Sequence, residues 1–260
     1  MLLAADIGNT NIVFGVFSGS ELRHRFRIQT NRSRTADEYG VLLRQLLGWR
    51  ALDPAAFESA IVASVVPPLT DTVAAALRDS IGCHPLVVGP GMKTGIAVAY
   101  EHPREVGADR IVNAVAAFER FRSGVIVVDF GTATTFDCVS PTGEYLGGVI
   151  VPGIQVSLDA LLQRAAKLSR VELAAPPRVL GRNTTHAIQS GLVHGYASMV
   201  DGLVEKLRNE LGFECRVIAT GGLAPLIARH TQSVREVDED LTLTGLRLLH
   251  ERHAAGKRHR

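Results

Sequence analysis

No stretch of this sequence stays apolar for the roughly 18 residues that a membrane-spanning helix needs. No basic run precedes MLLAA at the start, and an acid follows at Asp6. The N-terminus therefore does not read as a secretory signal, and a cytoplasmic location is expected. Cysteine is scarce: Cys83, Cys138 and Cys215 lie far apart and form no C-x-x-C pair. That disfavours a disulfide framework or a structural zinc site. Cys138 and Cys215 sit beside apolar, strand-like runs and read as buried thiols. The nine histidines include no H-x-x-x-H or H-E-x-x-H spacing, so none is assigned to a metal, and the absence of G-x-x-x-x-G-K-[ST] excludes a P-loop kinase. Charge of one sign is lacking too. The last eleven residues, HERHAAGKRHR, hold four basic side chains and one acid, and the rest of the chain holds 24 basic and 25 acidic. The body is no basic nucleic-acid surface, so neither nucleic acid nor membrane is expected as a partner. The basic stretch 250–260 is expected to be a disordered tail.

What is present is a chain of 260 residues, 46% hydrophobic and 21% charged, enough for one large α/β domain or two ordinary ones. Strand-like and helix-like runs alternate throughout. MLLAADI and IVFGVF read as consecutive strands. Thr35 to Leu47 reads as a helix, with Thr35 and Glu38 forming a capping box. SAIVASVV and PLVVG read as strands around the helix LTDTVAAALRDSI. Glu105 to Phe121 reads as a helix by its apolar spacing at Ile111, Val112, Val115 and Phe118. LGGVIVPG follows the turn PTGEY. Helices are then expected from about Ile154 to Leu168, from about Thr185 to Leu211, and through DLTLTGLRLLHER, with CRVIATGG as a strand ending in a glycine turn.

One stretch occurs twice. Setting VIVVDFGTATTFD beside LLAADIGNTNIVF places Asp129 on Asp6 and Gly131 on Gly8, 123 residues apart. Further along the match weakens, because Phe14 falls on Asp137. A repeat near half the chain length implies duplicated domains, here residues 1–118 and 119–249, each an α/β unit.

A turn rich in glycine and small polar residues offers backbone N–H groups that can cradle phosphate oxygens. Asn9, Thr10 and Asn11 add neutral donors. Asp6 would repel phosphate unless a cation lies between them, so it reads as a Mg²⁺ anchor, direct or through water. A hairpin whose side chains only bond the turn gives the same residues. Asp129 ends a buried-looking strand and needs a cation or hydrogen bonds to offset desolvation. Asp109, just inside a helix, is favoured there by the helix dipole and expected to stay ionised, although acids often sit there merely as caps. Arg110 could grip a carboxylate through two N–H donors or form a surface salt bridge. Asn183 and Thr184 precede the long helix, where capping and anion binding are both open. Gly191 and Gly195 share a helix face that suits a dimer contact, an interdomain contact or core packing. The turn TGGLA could lie against an adenine ring or be a turn alone.

The paired turns resemble the phosphate loops of the actin-like and sugar-kinase ATPase superfamily. The chain as a whole resembles the type III pantothenate kinases. The motifs that carry this are DIGNTN at 6–11, YEHPREVGADR at 100–110, DFGTATTFD at 129–137, GGVIVPG at 147–153, GRNTTHAIQSG at 181–191 and TGGLA at 220–224. The resemblance implies two duplicated actin-like (ribonuclease H-like) domains with a nucleotide cleft between them. It implies ATP-dependent phosphorylation of pantothenate to 4′-phosphopantothenate, the first step towards coenzyme A, by a homodimer. It further implies that Asp6, Ile7, Gly8, Asn9, Thr10, Asn11, Ile12 and Val13, with Thr132, bind ATP. Tyr100, Gly107, Ala108, Asp109, Arg110 and Thr184 would contact pantothenate, with Asp109 as catalytic base. Asp129 would serve a monovalent cation, K⁺ or NH₄⁺, and Mg²⁺ would accompany ATP. A departure is QRAAKLSRV at 163–171, where Ala165 and Ser169 stand in place of the family's frequent Thr and Pro.

Three rivals share some of these features. A regulatory, transcription-linked member of the family could keep the ligand site, but the near-neutral body and the intact GADR weigh against it. An actin-like phosphatase acting on polyphosphate or ppGpp would need both turns but not the YEHPREVGADR or GRNTT segments. A filament-forming ATPase is usually longer.

Overall fold

Two β-sheets built to one plan carry the structure, a computed structural model that describes residues 1–165 and 171–258. The first half runs β1 (Leu2–Ile7), β2 (Asn11–Ser18), β3 (Glu21–Gln29), α1 (Ala36–Trp49), β4 (Ser59–Ser64), α2 (Pro67–Ile81), β5 (Pro85–Val87), β6 (Ala97–Val98) and α3 (Ala108–Phe121). The second runs β7 (Gly124–Phe130), β8 (Ala133–Val139), β9 (Glu144–Pro152), α4 (Ile154–Arg164), α5 (Thr184–Leu211), β10 (Cys215–Thr220), α6 (Ala224–Ala228), β11 (Glu236–Val237) and α7 (Leu241–Arg258).

The first sheet has the order β3-β2-β1-β4-β5, with β1 antiparallel to β2 and parallel to β4. The second has the order β11-β10-β7-β8-β9-β6, with β7 antiparallel to β8 and parallel to β10. Strand by strand, β7, β8, β9, β10 and β11 take the places of β1, β2, β3, β4 and β5. The central strands are continuous apolar runs because both their faces are covered: Leu2 to Ala5 and Gly124 to Val128 are buried throughout. Leu3, Ile7, Phe14, Leu43 and Leu77 centre one core, and Ile126, Val128, Phe136, Val193 and Val217 the other.

The register explains why the sequence repeat faded after its glycine. Ile7 pairs with Ile12, but Phe130 pairs with Thr134, so the second turn is one residue shorter. One gap restores the repeat: Phe14 then falls on Phe136, both buried, and the pattern of burial along β2 and β8 agrees position for position. The bulge agrees as well, lying between Val16 and Phe17 in one sheet and between Cys138 and Val139 in the other.

Most expected elements are present. Thr35 caps α1 and the capping box with Glu38 is complete. Cys138 and Cys215 are buried thiols. The Glu105–Phe121 helix begins later, at Ala108, because Pro103–Glu105 forms a separate 3₁₀ turn. α4 ends at Arg164 and Ala165 is its extended C-cap, short of the expected Leu168; 166–168 and Ser169 lie outside the described residues. Gly191 and Gly195 do not serve core packing, since both are exposed and an added Cβ would meet nothing within 4 Å. Among the described residues no helix is long and apolar enough to cross a membrane.

The division at 118/119 and the tail need correction. One compact unit comprises Met1–Ala97, Glu101–Ala116 and the segment from Leu241 onward; the other comprises Val98–Tyr100 and Ala117–Asp240. The last helix belongs with the first half because Leu241, Leu243, Leu246 and Leu249 are buried and α7 packs on β1, β2 and β4. Thr242 Oγ1 donates to Asn113 Oδ1 of α3 at 2.7 Å. The basic stretch expected to be disordered continues α7 to Arg258, and Arg252 donates to the carbonyl of Thr94.

A Cβ on Gly245 would collide with the carbonyl of Val112 in α3, whereas one on Gly256 would meet nothing within 4 Å. Gly245→Val should therefore cost about 1–3 kcal/mol by overpacking, read as a lower Tm. Gly256→Ala should leave the Tm unchanged or raise it slightly. Equal Tm values for the two variants would contradict this seat for α7.

Candidate functional site

In the first unit the turn between β1 and β2 is closed by the N–H of Gly8 donating to Asn11 O at 3.0 Å. Asn9 and Thr10 are exposed at its tip; Asp6 and Asn11 are half-buried below. Ile7, Ile12 and Val13 are flanking strand residues, with Ile7 and Ile12 in the core. The start of the segment after β3 is laced to this turn. Thr30 N donates to Thr10 O at 3.0 Å and Thr30 Oγ1 to Gly8 O at 2.7 Å. Arg32 Nη2 donates to Asn9 Oδ1 at 3.0 Å.

The 107–110 segment hangs from the same edge of the sheet. Val65 N donates to Ile7 O at 3.0 Å, and a Cβ on Gly107 would stand 3.5 Å from Val65 Cγ1 and 2.5 Å from Asp109 Oδ1. A side chain at 107 would make the Asp109 carboxyl shift. Thus the structure brings the Asp6 turn and GADR together at the C-terminal ends of β1 and β4. Ala108 opens α3, and Arg110 behind Asp109 is 8% exposed. Asp109 Oδ1 accepts from the Arg110 N–H at 2.8 Å.

The ionisation expected for Asp109 meets an opposing force. Although the residue keeps some exposed surface, its carboxyl is closely packed, and desolvation pushes its pKa above the ordinary 3.8. The Arg110 N–H and guanidinium pull the other way and do not cancel it.

In the second unit Asp129 stands where Asp6 stands in the first. Gly131 N donates to Ala133 O at 3.0 Å, closing a turn with Thr132 exposed at its tip. A Cβ on Gly153 would collide with the carbonyls of Gly131 and Thr132. Gly221, in TGGLA, has φ +91, and a Cβ on it would lie 2.6 Å from both Asp129 Oδ1 and Phe130 O. A carboxylate and a carbonyl oxygen thus converge on a glycine wall, a donor set that suits a hard cation.

Tyr100 lies over Gly147, which has φ +118 and would place a Cβ 3.2 Å from the ring. Beneath it is Tyr145, rings 6.3 Å apart. The Tyr145 hydroxyl donates to Asp137 Oδ1 at 2.8 Å, and Thr135 Oγ1 donates to Asp137 Oδ2 at 3.0 Å. Two donors are what a fully buried carboxylate requires. Thr184 is the exposed first residue of α5, on a separate element from Tyr100, and Asn183 caps the helix by accepting from His186 N at 2.8 Å. A depression of about 320 Å³ beside it is lined by Arg178, Leu180, Arg182 and His186.

Sequence reasoning missed Arg32 and the Asp137–Tyr145 pair. The signal for Arg32 was the alternation in ELRHRFRIQ, which marks β3 and so returns the chain to the turn.

A sequence profile described as type III pantothenate kinase matches residues 2–206. The chain belongs to the type III pantothenate kinase family. A protein of Anaeromyxobacter sp. (strain Fw109-5) named type III pantothenate kinase is 60% identical over 253 residues, covering 97% of this chain and all of that one. Among solved structures, the activator of 2-hydroxyisocaproyl-CoA dehydratase from Clostridium difficile, with ADPNP bound, has TM-score 0.55 at 12% identity, covering 99% of this chain and 97% of that one. A Campylobacter jejuni chain named for the Baf family of transcriptional activators has TM-score 0.59 at 19% identity, covering 97% and 99%. At such identities the likeness shows the fold, which is the two-domain actin-like one. The regulatory alternative is not favoured, because the full-length relative at 60% identity carries the kinase name.

Because the folded-state pKa of Asp109 is raised, its carboxyl ionises less readily in the folded chain than in the unfolded one, which costs this kinase stability at pH values above the ordinary 3.8. That cost is absent below about pH 3.8, grows as the pH rises from there, and is complete above the folded value. Asp109→Asn should raise the Tm at pH 7–8, with the gain shrinking as the pH is lowered. A lower Tm for the variant at pH 7–8 would contradict the desolvation account.

Proposed function

We propose that the enzyme transfers the γ-phosphoryl group of ATP to the primary hydroxyl of pantothenate. The products are 4′-phosphopantothenate and ADP, and the step leads towards coenzyme A. The observation that most supports this site assignment is the packed Asp109 carboxyl, on a segment whose Gly107 lies against Val65, which in turn is bonded to Ile7 at the base of the glycine turn.

Asp109 takes the proton of the substrate hydroxyl as its oxygen bonds to the γ-phosphorus and the bond to the ADP oxygen breaks. A carboxylate with a raised pKa is the better base for this task. The loose transition state asks mainly for positioning and charge stabilisation. Arg110 and Thr184 hold pantothenate, and Tyr100 forms a wall of its site, steadied by Tyr145. The backbone of the 6–13 turn, with Asn9, Thr10 and Thr132, cradles phosphate oxygens. Mg²⁺, when bound, neutralises the phosphate oxygens. Asp6 would hold it directly or through water, since Mg²⁺ commonly takes one or two carboxylates and completes its shell with phosphates and water. Asp129 with the Phe130 carbonyl would hold K⁺ or NH₄⁺. In this reading the protein works in the cytoplasm as a homodimer, with no nucleic-acid or membrane partner.

The test is mass spectrometry of purified protein with ATP, Mg²⁺, K⁺ and pantothenate. Phosphopantothenate should form, and Asp109→Asn should lose about 10²–10⁴-fold in kcat/KM. The acid limb of the wild-type pH profile should lie above the ordinary aspartate range. Undiminished product from Asp109→Asn would leave the kinase but remove Asp109 as base. No product from the wild type would overturn the function.

A further inference from the structure

The phosphate turn carries no cation of its own: Asp6 to Val13 holds one acid and no base. A triphosphate brings several negative charges, and catalysis of its transfer depends on positive groups fixed in advance around them. The structure puts one such group against the turn from another element. Arg32 Nη2 lies 3.0 Å from Asn9 Oδ1, with Asn9 at the exposed tip.

The backbone around Arg32 is held on both sides. Before it, Thr30 makes two bonds to the turn. Asn31 N donates to the Tyr39 hydroxyl at 3.1 Å, and that hydroxyl donates to Asn31 O at 2.8 Å. Beyond it, Ser33 N donates to Asn31 Oδ1 at 2.9 Å, and the Thr35 capping box begins α1. Tyr39 is buried, so these anchors reach into the core. A guanidinium has five N–H donors in a planar fork, so one bond to Asn9 leaves others for phosphate oxygens.

We infer that Arg32 binds the terminal phosphates of the nucleotide and stabilises the charge that shifts during transfer. This rests on the reading that the 6–13 turn holds ATP. Arg32 is here a phosphate-contacting residue supplied by the β3–α1 segment.

The experiment is calorimetric titration of the full chain with a non-hydrolysable ATP analogue and Mg²⁺, beside competition binding of adenosine. Wild type, Arg32→Gln and Arg32→Lys are compared. Arg32→Gln should weaken the analogue about 10–100-fold, as loss of a charge-assisted contact does, and leave adenosine unchanged. Arg32→Lys should fall between them, and the gap should narrow with added salt. The side chain is exposed, so the Tm should not move. Analogue affinity within twofold of wild type in Arg32→Gln overturns the inference, as does equal weakening of adenosine, which would mark a structural role. Phosphopantothenate formation, assayed on the same wild-type preparation, reports separately on the kinase reading. Analogue binding through Arg32 with no product keeps the inference and sinks the activity; no analogue binding by the wild type overturns the inference itself.

Discussion

An acid at the end of a buried strand can be tolerated only where something positive or hydrogen-bonding reaches it, and here that space is kept open by glycine. Asp6 and Asp129 occupy equivalent places in two sheets of one plan. At Asp129 the approach is walled by Gly221, where a single added carbon would lie 2.6 Å from the carboxylate oxygen. At Asp109 the same role falls to Gly107. Asp129 and Asp109 thus both face backbone that carries no side chain. Glycine loops must be rigid to be useful, so they are tied down by neighbours: Thr30 on one turn, Gly153 on the other, Val65 under GADR.

If Asp109 is the base, as proposed, function and stability pull against each other there. A fully solvated aspartate would cost nothing to ionise and would be a weak base. Packing the carboxyl raises its pKa, which favours proton acceptance and burdens the fold. Asp137 shows the contrasting solution. It is more deeply buried, but its two oxygens accept from Tyr145 and Thr135, so its place is structural support under Tyr100.

Much of this was legible in the sequence. The long apolar strands, the Thr35 capping box, the repeat of strand, acid and glycine, and the six ordered motifs all announce themselves locally. What was not legible depends on pairing across distance. β3 is an edge strand with only Phe26 buried, so its alternation carries little apolar signal. The one-residue difference between the turns shifts the repeat out of phase just where side chains become informative. The last helix is legible through its leucines, but its final turns, from His250 on, look like a basic tail because the leucines that seat it on β1 and β4 all lie before them. The desolvation of Asp109 and the reach of Arg32 arise from tertiary neighbours that no local pattern names.

On the proposed reading, the Asp129 carboxylate and the Phe130 carbonyl, facing Gly221, hold the monovalent cation. The most direct measurement is phosphopantothenate formation by Asp129→Asn across a titration of K⁺, since the amide keeps the shape and removes the charge. The wild type should be activated by K⁺, and in the variant that activation should be lost or moved to at least about tenfold higher concentration, the scale of one lost charge-assisted contact. An unchanged K⁺ dependence in the variant would contradict it.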